Sequence, residues 1–214
     1  MGLNRLLECS KIFDTLTTTM KFCLILAVLR CCLTLVDAAP LQKQEMTRAV
    51  ERATSLAKKI LSDVPAAHQA CVNTAGLALS SEAGHLEYFL SDLGIPAPPV
   101  LKSEDLSMDV SLSRIVAGLD LHRDLLQDIR ERSSSTEELS LLLADITDLS
   151  AQVHQMQQLA QIPSTVSQKA AFPALSPRLS GDYQVQVAIH LSLQQLRSFT
   201  QDVFRSLRHI AASN

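Results

Sequence analysis

Residues 129–138 read Ile-Arg-Glu-Arg-Ser-Ser-Ser-Thr-Glu-Glu. A long amphipathic pattern lies on either side of them. Upstream, Met108, Leu112, Ile115, Val116, Leu119, Leu126 and Ile129 recur at three- and four-residue spacing. Downstream, Leu139, Leu142, Leu143, Ile146, Leu149, Val153 and Met156 do the same. That spacing lays apolar side chains along one face of a helix. Ser133-Ser134-Ser135 breaks the period. Ser135 and Glu138 then form a capping box, in which the serine oxygen accepts from a free backbone N–H and the glutamate reaches back. The stretch therefore predicts two helices, about Leu106–Glu131 and Thr136–Gln161, joined by a few residues. A link that short makes neighbouring helices antiparallel.

The outer connections are different. A first helix is expected from about Glu45 to Val64, with Met46, Val50, Ala53, Leu56, Ala57, Ile60, Leu61 and Val64 as its stripe and Pro65 as its stop. The next 40 or so residues, to about Asp105, hold Gly76, Gly84 and Leu93-Gly94-Ile95-Pro96-Ala97-Pro98-Pro99; the prolines favour extended chain there. Glu82 to Leu93 is apolar enough for a short helix inside this connection. A second long connection, Gln161 to Gly181, carries Pro163, Pro173 and Pro177. The last helix is expected from Asp182 to about Ala212, with Val185, Ala188, Ile189, Leu193, Leu196, Phe199, Val203, Leu207 and Ile210 inward. A long crossover lets the next helix run parallel to the last. Long, short, long therefore predicts an all-α fold, an up-up-down-down four-helix bundle with two long crossover loops. No strand pattern and no internal repeat competes.

The N-terminus reads as an export signal. Phe22 to Val36 is apolar, Lys21 precedes it, and Val36-Asp37-Ala38 offers small or apolar residues for cleavage between Ala38 and Ala39. The run is about 15 residues, short of the ~20 that span a bilayer, and Arg30 interrupts it. Residues 1–19 lie upstream; either translation starts at Met20 or they form a long leading segment. Residues 39–214 then make one secreted domain with no stable membrane insertion. The chain carries 19 basic and 22 acidic residues. Removing the four basic and three acidic residues of positions 1–38 leaves 15 against 19, a net charge of −4. No clustered positive charge points to nucleic acid. Four of the five cysteines precede residue 39, so Cys71 alone remains and no intramolecular disulfide can form. Its thiol is either buried or an intermolecular link; burial is favoured because a lone cysteine behaves as a small hydrophobe.

No catalytic motif is present: no HExxH, no Gly-rich phosphate loop, no nucleophile elbow. The six histidines, at 68, 85, 122, 154, 190 and 209, lack metal-ligand spacing and are expected at the surface or half-buried. Asp145 and Asp148 share a helix face and are expected to be solvated. No enzyme activity, metal or cofactor is expected.

Several stretches resemble the granulocyte colony-stimulating factors of the fish type, within the interleukin-6 group of long-chain helical cytokines. They are Leu93-Gly94-Ile95-Pro96, Ala117-Gly118-Leu119-Asp120-Leu121 through Leu125-Leu126-Gln127, Asp145-Ile146-Thr147-Asp148, and Phe204-Arg205-Ser206-Leu207-Arg208-His209-Ile210-Ala211. The resemblance implies a secreted growth factor, monomeric when free, that binds and dimerises a class I cytokine receptor. It would signal through JAK–STAT and drive granulocyte proliferation and differentiation. It also implies a first receptor surface at Arg48, Glu51, Arg52, Asp145 and Asp148, and a second at His85, Glu87, Leu175 and Arg178. The residues of the first surface are expected to point away from the apolar stripes. The chain departs from the family in lacking the disulfides of the mammalian first crossover, and in placing Lys59 where an acid is usual. Two other readings fit the helices: a different interleukin-6-type cytokine, and a secreted lipid-binding protein with amphipathic helices. The second would show basic flanks on its apolar faces.

Overall fold

The computed structural model describes residues 41–79, 86–101, 107–133, 137–163 and 175–213. The expected export signal with its Ala38–Ala39 junction, the choice of Met20, the Ser135 cap and His85 all lie outside the described residues. The regular structure is helical, with no strand among the described residues: α1 spans residues 41–71, α2 Glu87–Leu93, α3 Met108–Arg130, α4 Glu137–Leu159 and α5 Asp182–Ser213. A 3-10 turn at Ser176–Arg178 precedes α5. Met1–Gln44 is one unit of the chain and Glu45–Asn214 the other; the core lies in the latter.

The stripe expected for α4 is the stripe observed. Leu139, Leu142, Leu143, Ile146, Leu149, Val153 and Met156 are all buried. Each such side chain contributes about 1.5–3 kcal/mol on leaving water. α1 differs from expectation at its end. It runs through Pro65 to residue 71. Proline in a helix interior removes a hydrogen bond and presses on the carbonyl four residues back, at about 3 kcal/mol. Here the apolar period continues beyond it: Val64, Ala67, His68 and Cys71 are buried while Pro65 is exposed. Burial of that last turn outweighs the lost bond. Pro65→Ala should therefore raise stability by about 2 kcal/mol, less than the full propensity difference because it also frees the unfolded chain. Urea unfolding would read this as a higher midpoint at constant slope; a lower midpoint would mean that α1 already ends at residue 65.

α3 and α5 are more deeply enclosed than their stripes indicate. Seven consecutive residues of α5, from Val187 to Leu193, are buried. A helix covered all round must be packed on several sides. α3 packs on α4 and α5, and α2 packs on the start of α5. Gly118 of α3 has the Phe199 ring of α5 lying directly on its backbone, with His122 one turn further along beside the same ring, 5.3 Å between centroids.

Named contacts give the register. On α1, Lys59 is ion-paired with Asp145 of α4. At the end of α1, the Cys71 thiol is hydrogen-bonded with Ser133, and the Glu138 carboxylate of α4 acts on it. Lys58 lies over the Phe204 ring of α5 at 5.6 Å, and His68 meets His190 of α5 at 2.9 Å. Gln157 of α4 donates to Ser113 of α3 at 3.5 Å, and Arg130 of α3 donates to Ser140 of α4 at 3.5 Å. Beyond α1, the Gln186 Oε1 of α5 accepts from the Asn73 and Thr74 N–H groups at 2.9 and 2.8 Å.

Candidate functional site

Two exposed faces carry the candidate residues. On the first, α1 presents Arg48, Glu51 and Arg52 to solvent, and α4 presents Asp148. Asp145 is a correction: it is buried, 8 % exposed, and does not point away from the core. The cause is Lys59. Its ammonium spans the α1–α4 seam, holding Asp145 and also Asp63, 2.9 Å away. The hydrogen bonds to Asp145 and then to Asp63 hold the Lys59 pKa above its ordinary value. Glu51 lies eight residues before Lys59 on the same helix, roughly 12 Å along its axis at 1.5 Å per residue. The α1 trio and the Asp145 contact are therefore distinct places on this face.

The second face is built where the first connection meets the start of α5. α2 ends in a Schellman arrangement: Gly94 takes φ 70°, its N–H bonds the Ser91 carbonyl at 3.1 Å, and the Ile95 N–H bonds the Leu90 carbonyl at 2.8 Å. Glycine suits that left-handed position, the buried Ile95 closes the turn, and Pro96 prevents the helix from resuming. Leu93-Gly94-Ile95-Pro96 is thus a helix stop with a structural reason for each residue. Gly94 also leaves room for Arg178, whose guanidinium occupies the space a Cβ would take. The structure thereby joins Arg178 to the first connection. Leu175, expected on the second receptor surface, is 2 % exposed, with its backbone N–H donating to Asp128 Oδ2 at 2.9 Å. Its side chain belongs to the core. Glu87 opens α2.

α2, whose end meets Arg178, also carries a feature that helical periodicity does not mark. Tyr88 and Phe89 of α2 and Tyr183 of α5 form an edge-to-face ladder, with centroids 5.9 and 6.2 Å apart. Tyr88 is 72 % exposed and Tyr183 49 %. The chain has only two tyrosines, and both lie on this surface. Exposed tyrosines and arginines are the residue types that anchor protein interfaces. The signal available in the sequence was the rarity of tyrosine, together with its place in a short helix and a first turn.

A mirrored pair of substitutions tests the helix stops. α4 ends as α2 does, but with Gln161 at φ 55° before Pro163. Gly94→Ala should cost about 1–2 kcal/mol from the left-handed backbone and dislodge Arg178. Gln161→Gly should stabilise by up to about 1 kcal/mol by the same argument. Thermal unfolding of the two variants should shift in opposite directions; shifts of one sign would refute the reading.

Chemistry is sparse elsewhere. An open, mainly apolar cleft of about 570 Å³ lies between the start of α3 and the end of α4, lined by Asp109, Ser113, Arg114, His154, Gln157 and Pro163 among others. Among the described residues no three His, Cys, Asp or Glu side chains are placed to hold a metal ion, and no helix is long and apolar enough to cross a membrane. Cys71 is buried. Burial pushes its thiol pKa up, Glu138 adds to that, and the Ser133 hydrogen bond opposes it. The histidines depart from expectation: His154 and His209 are exposed, but His68, His122 and His190 are buried. Compared with known proteins, the sequence matches no family model, and no characterised protein is significantly similar to it.

Proposed function

We propose that this chain is a secreted four-helix cytokine of the granulocyte colony-stimulating factor type, which binds and dimerises a class I cytokine receptor to activate JAK–STAT signalling. The observation that carries the reading is the register of the helix contacts. Along α1, residues 59 and 71 meet positions 145 and 138 of α4, so the two run in opposite directions. Residues 58 and 68 meet 204 and 190 of α5, again in opposite directions. Residues 113 and 130 of α3 meet 157 and 140 of α4 likewise. α1 and α3 then run one way and α4 and α5 the other, which supports the up-up-down-down order with long crossovers before α3 and before α5. That connectivity characterises growth-hormone-like and cytokine bundles.

Two separated exposed faces suit a ligand that bridges receptor chains. The first is the charged face of α1 with Asp148, where charges of both signs would orient the encounter. The second is Arg178 with the Tyr88–Phe89–Tyr183 ladder, where aromatic area would supply affinity. Asp145 and Leu175 act from inside, holding these faces in place. The test is to express residues 39–214 and measure STAT phosphorylation in cells bearing the granulocyte colony-stimulating factor receptor of the same species. A dose-dependent response supports the proposal. Silence from the folded protein on that receptor, with a response on cells bearing another interleukin-6-group receptor, would reassign the partner; silence on both would end the cytokine reading.

A further inference from the structure

Three of the buried polar side chains are histidines, and all of them sit on seams of α5. His122 of α3 is fully buried against Phe199, and neither of its ring nitrogens is within hydrogen-bonding reach of another protein group. His68 of α1 and His190 of α5 are 8 % and 0 % exposed. Their rings meet edge to face, with Nε2 of His68 2.9 Å from Nδ1 of His190. One hydrogen serves that contact, so one ring donates and the other accepts. If both rings are protonated, two N–H groups face each other and the bond is gone.

The charged groups around these sites do not compensate a proton. On α3, Arg123 is tied to Asp120 and Asp124 on the outer side of the helix. On α5, Arg205 is tied to Asp202. Burial alone acts on His122, lowering its pKa from 6.5 to about 4, so no carboxylate of α3, α4 or α5 offsets it. Burial alone also lowers His68. Along α1 the next titratable group after His68 is Cys71, on which the Glu138 carboxylate of α4 acts.

We propose that these histidines form an acid-release device for α5. Neutral, they hold α5 against α1 and α3; protonated, they loosen it, and the fold loses stability in mildly acidic surroundings. On the reading of the chain as a receptor ligand, the loosening would weaken the support of both receptor faces in an acidified compartment. The sign follows from linkage: the unfolded chain binds protons near pH 6.5 while the folded chain does not, so stability is full above that pH and falls as pH drops towards 4.

Urea unfolding of the purified protein at pH 7.5 and pH 5, followed by far-ultraviolet circular dichroism, tests this without any receptor. The unfolding constant should rise roughly 25-fold over that interval from His122 alone, at up to tenfold per pH unit, and further from the His68–His190 pair. His122→Leu should lose that 25-fold factor, and His68→Gln should lose the additional part. If His122→Leu does not fold, His122→Met serves in its place, since it fills similar volume without titrating. A wild type with the same stability at both pH values, or variants with the wild-type pH response, would overturn the proposal. Because folding is measured directly, a protein that ignores every receptor but shows this response would retain the device and lose only the receptor reading.

Discussion

Gly118→Val is expected to unfold the protein or leave it barely folded. A Cβ at Gly118 would stand 2.8 Å from Cε1 of Phe199 and closer still to Cζ. The ring has nowhere to go: Phe199 is 3 % exposed, and His122 leans on it from the next turn. Nor can the backbone yield, since Gly118 lies in the middle of a continuous helix. Overpacking of this kind costs about 1–3 kcal/mol, and more when a ring must be displaced. The alanine variant recovers about 1 kcal/mol of helix propensity, so Gly118→Ala should lose about 2 kcal/mol and Gly118→Val clearly more. The decisive measurement is a double-mutant cycle by urea unfolding. Phe199→Leu alone should destabilise, yet in the Gly118→Ala background it should cost much less, because the two substitutions relieve one contact. Strict additivity would show that α3 and α5 do not meet as described.

Charge reversal on the outer face of α1 is expected to do the opposite: abolish signalling and leave the fold alone. Glu51 is exposed in the middle of α1 with Arg48 and Arg52 beside it. Surface substitutions away from caps and buried pairs usually change stability by less than about 0.5 kcal/mol. An interface hot spot is worth about 2 kcal/mol or more, roughly 30-fold in affinity. Glu51→Arg should therefore shift the half-maximal STAT response at least 30-fold at an unchanged urea midpoint. Asp145→Asn is the contrasting control. It removes the partner of Lys59 in the α1–α4 seam, so any loss of signalling should track a loss of stability. A Glu51→Arg protein with full signalling would move the contact off α1.

What was legible in the sequence divides along physical lines. The α4 stripe was read residue for residue because that helix buries one face and exposes the other, which is the case periodicity describes. α5 was read too narrowly: Val187 and Leu191 lie off the expected stripe and are buried all the same, because α1, α2 and α3 enclose that end. Pro65 was read as a stop on local grounds, whereas the burial of Ala67, His68 and Cys71 is a tertiary matter. Asp145 was assigned to solvent by its charge, and only the neighbouring Lys59 makes its burial tolerable. The histidines were expected at the surface or half-buried on the same grounds; burial instead lowers the pKa of His68 and His122, and His190 meets His68 inside the fold. Of the second face, Arg178 was named by resemblance, while the tyrosine ladder needed α2 and α5 to be side by side.

The enclosure of Val187–Leu193 bears on the order in which the molecule is made. α5 is synthesised after α1, α2, α3 and α4, yet α1, α2 and α3 all pack on it. Until residue 193 and beyond have emerged, the stripes of the earlier helices have no complete surface to close on. Contacts that span most of the chain also form slowly. The faces of α1, α2 and α3 that meet α5 therefore stay uncovered until α5 is made, whereas α3 and α4 can close on each other before then.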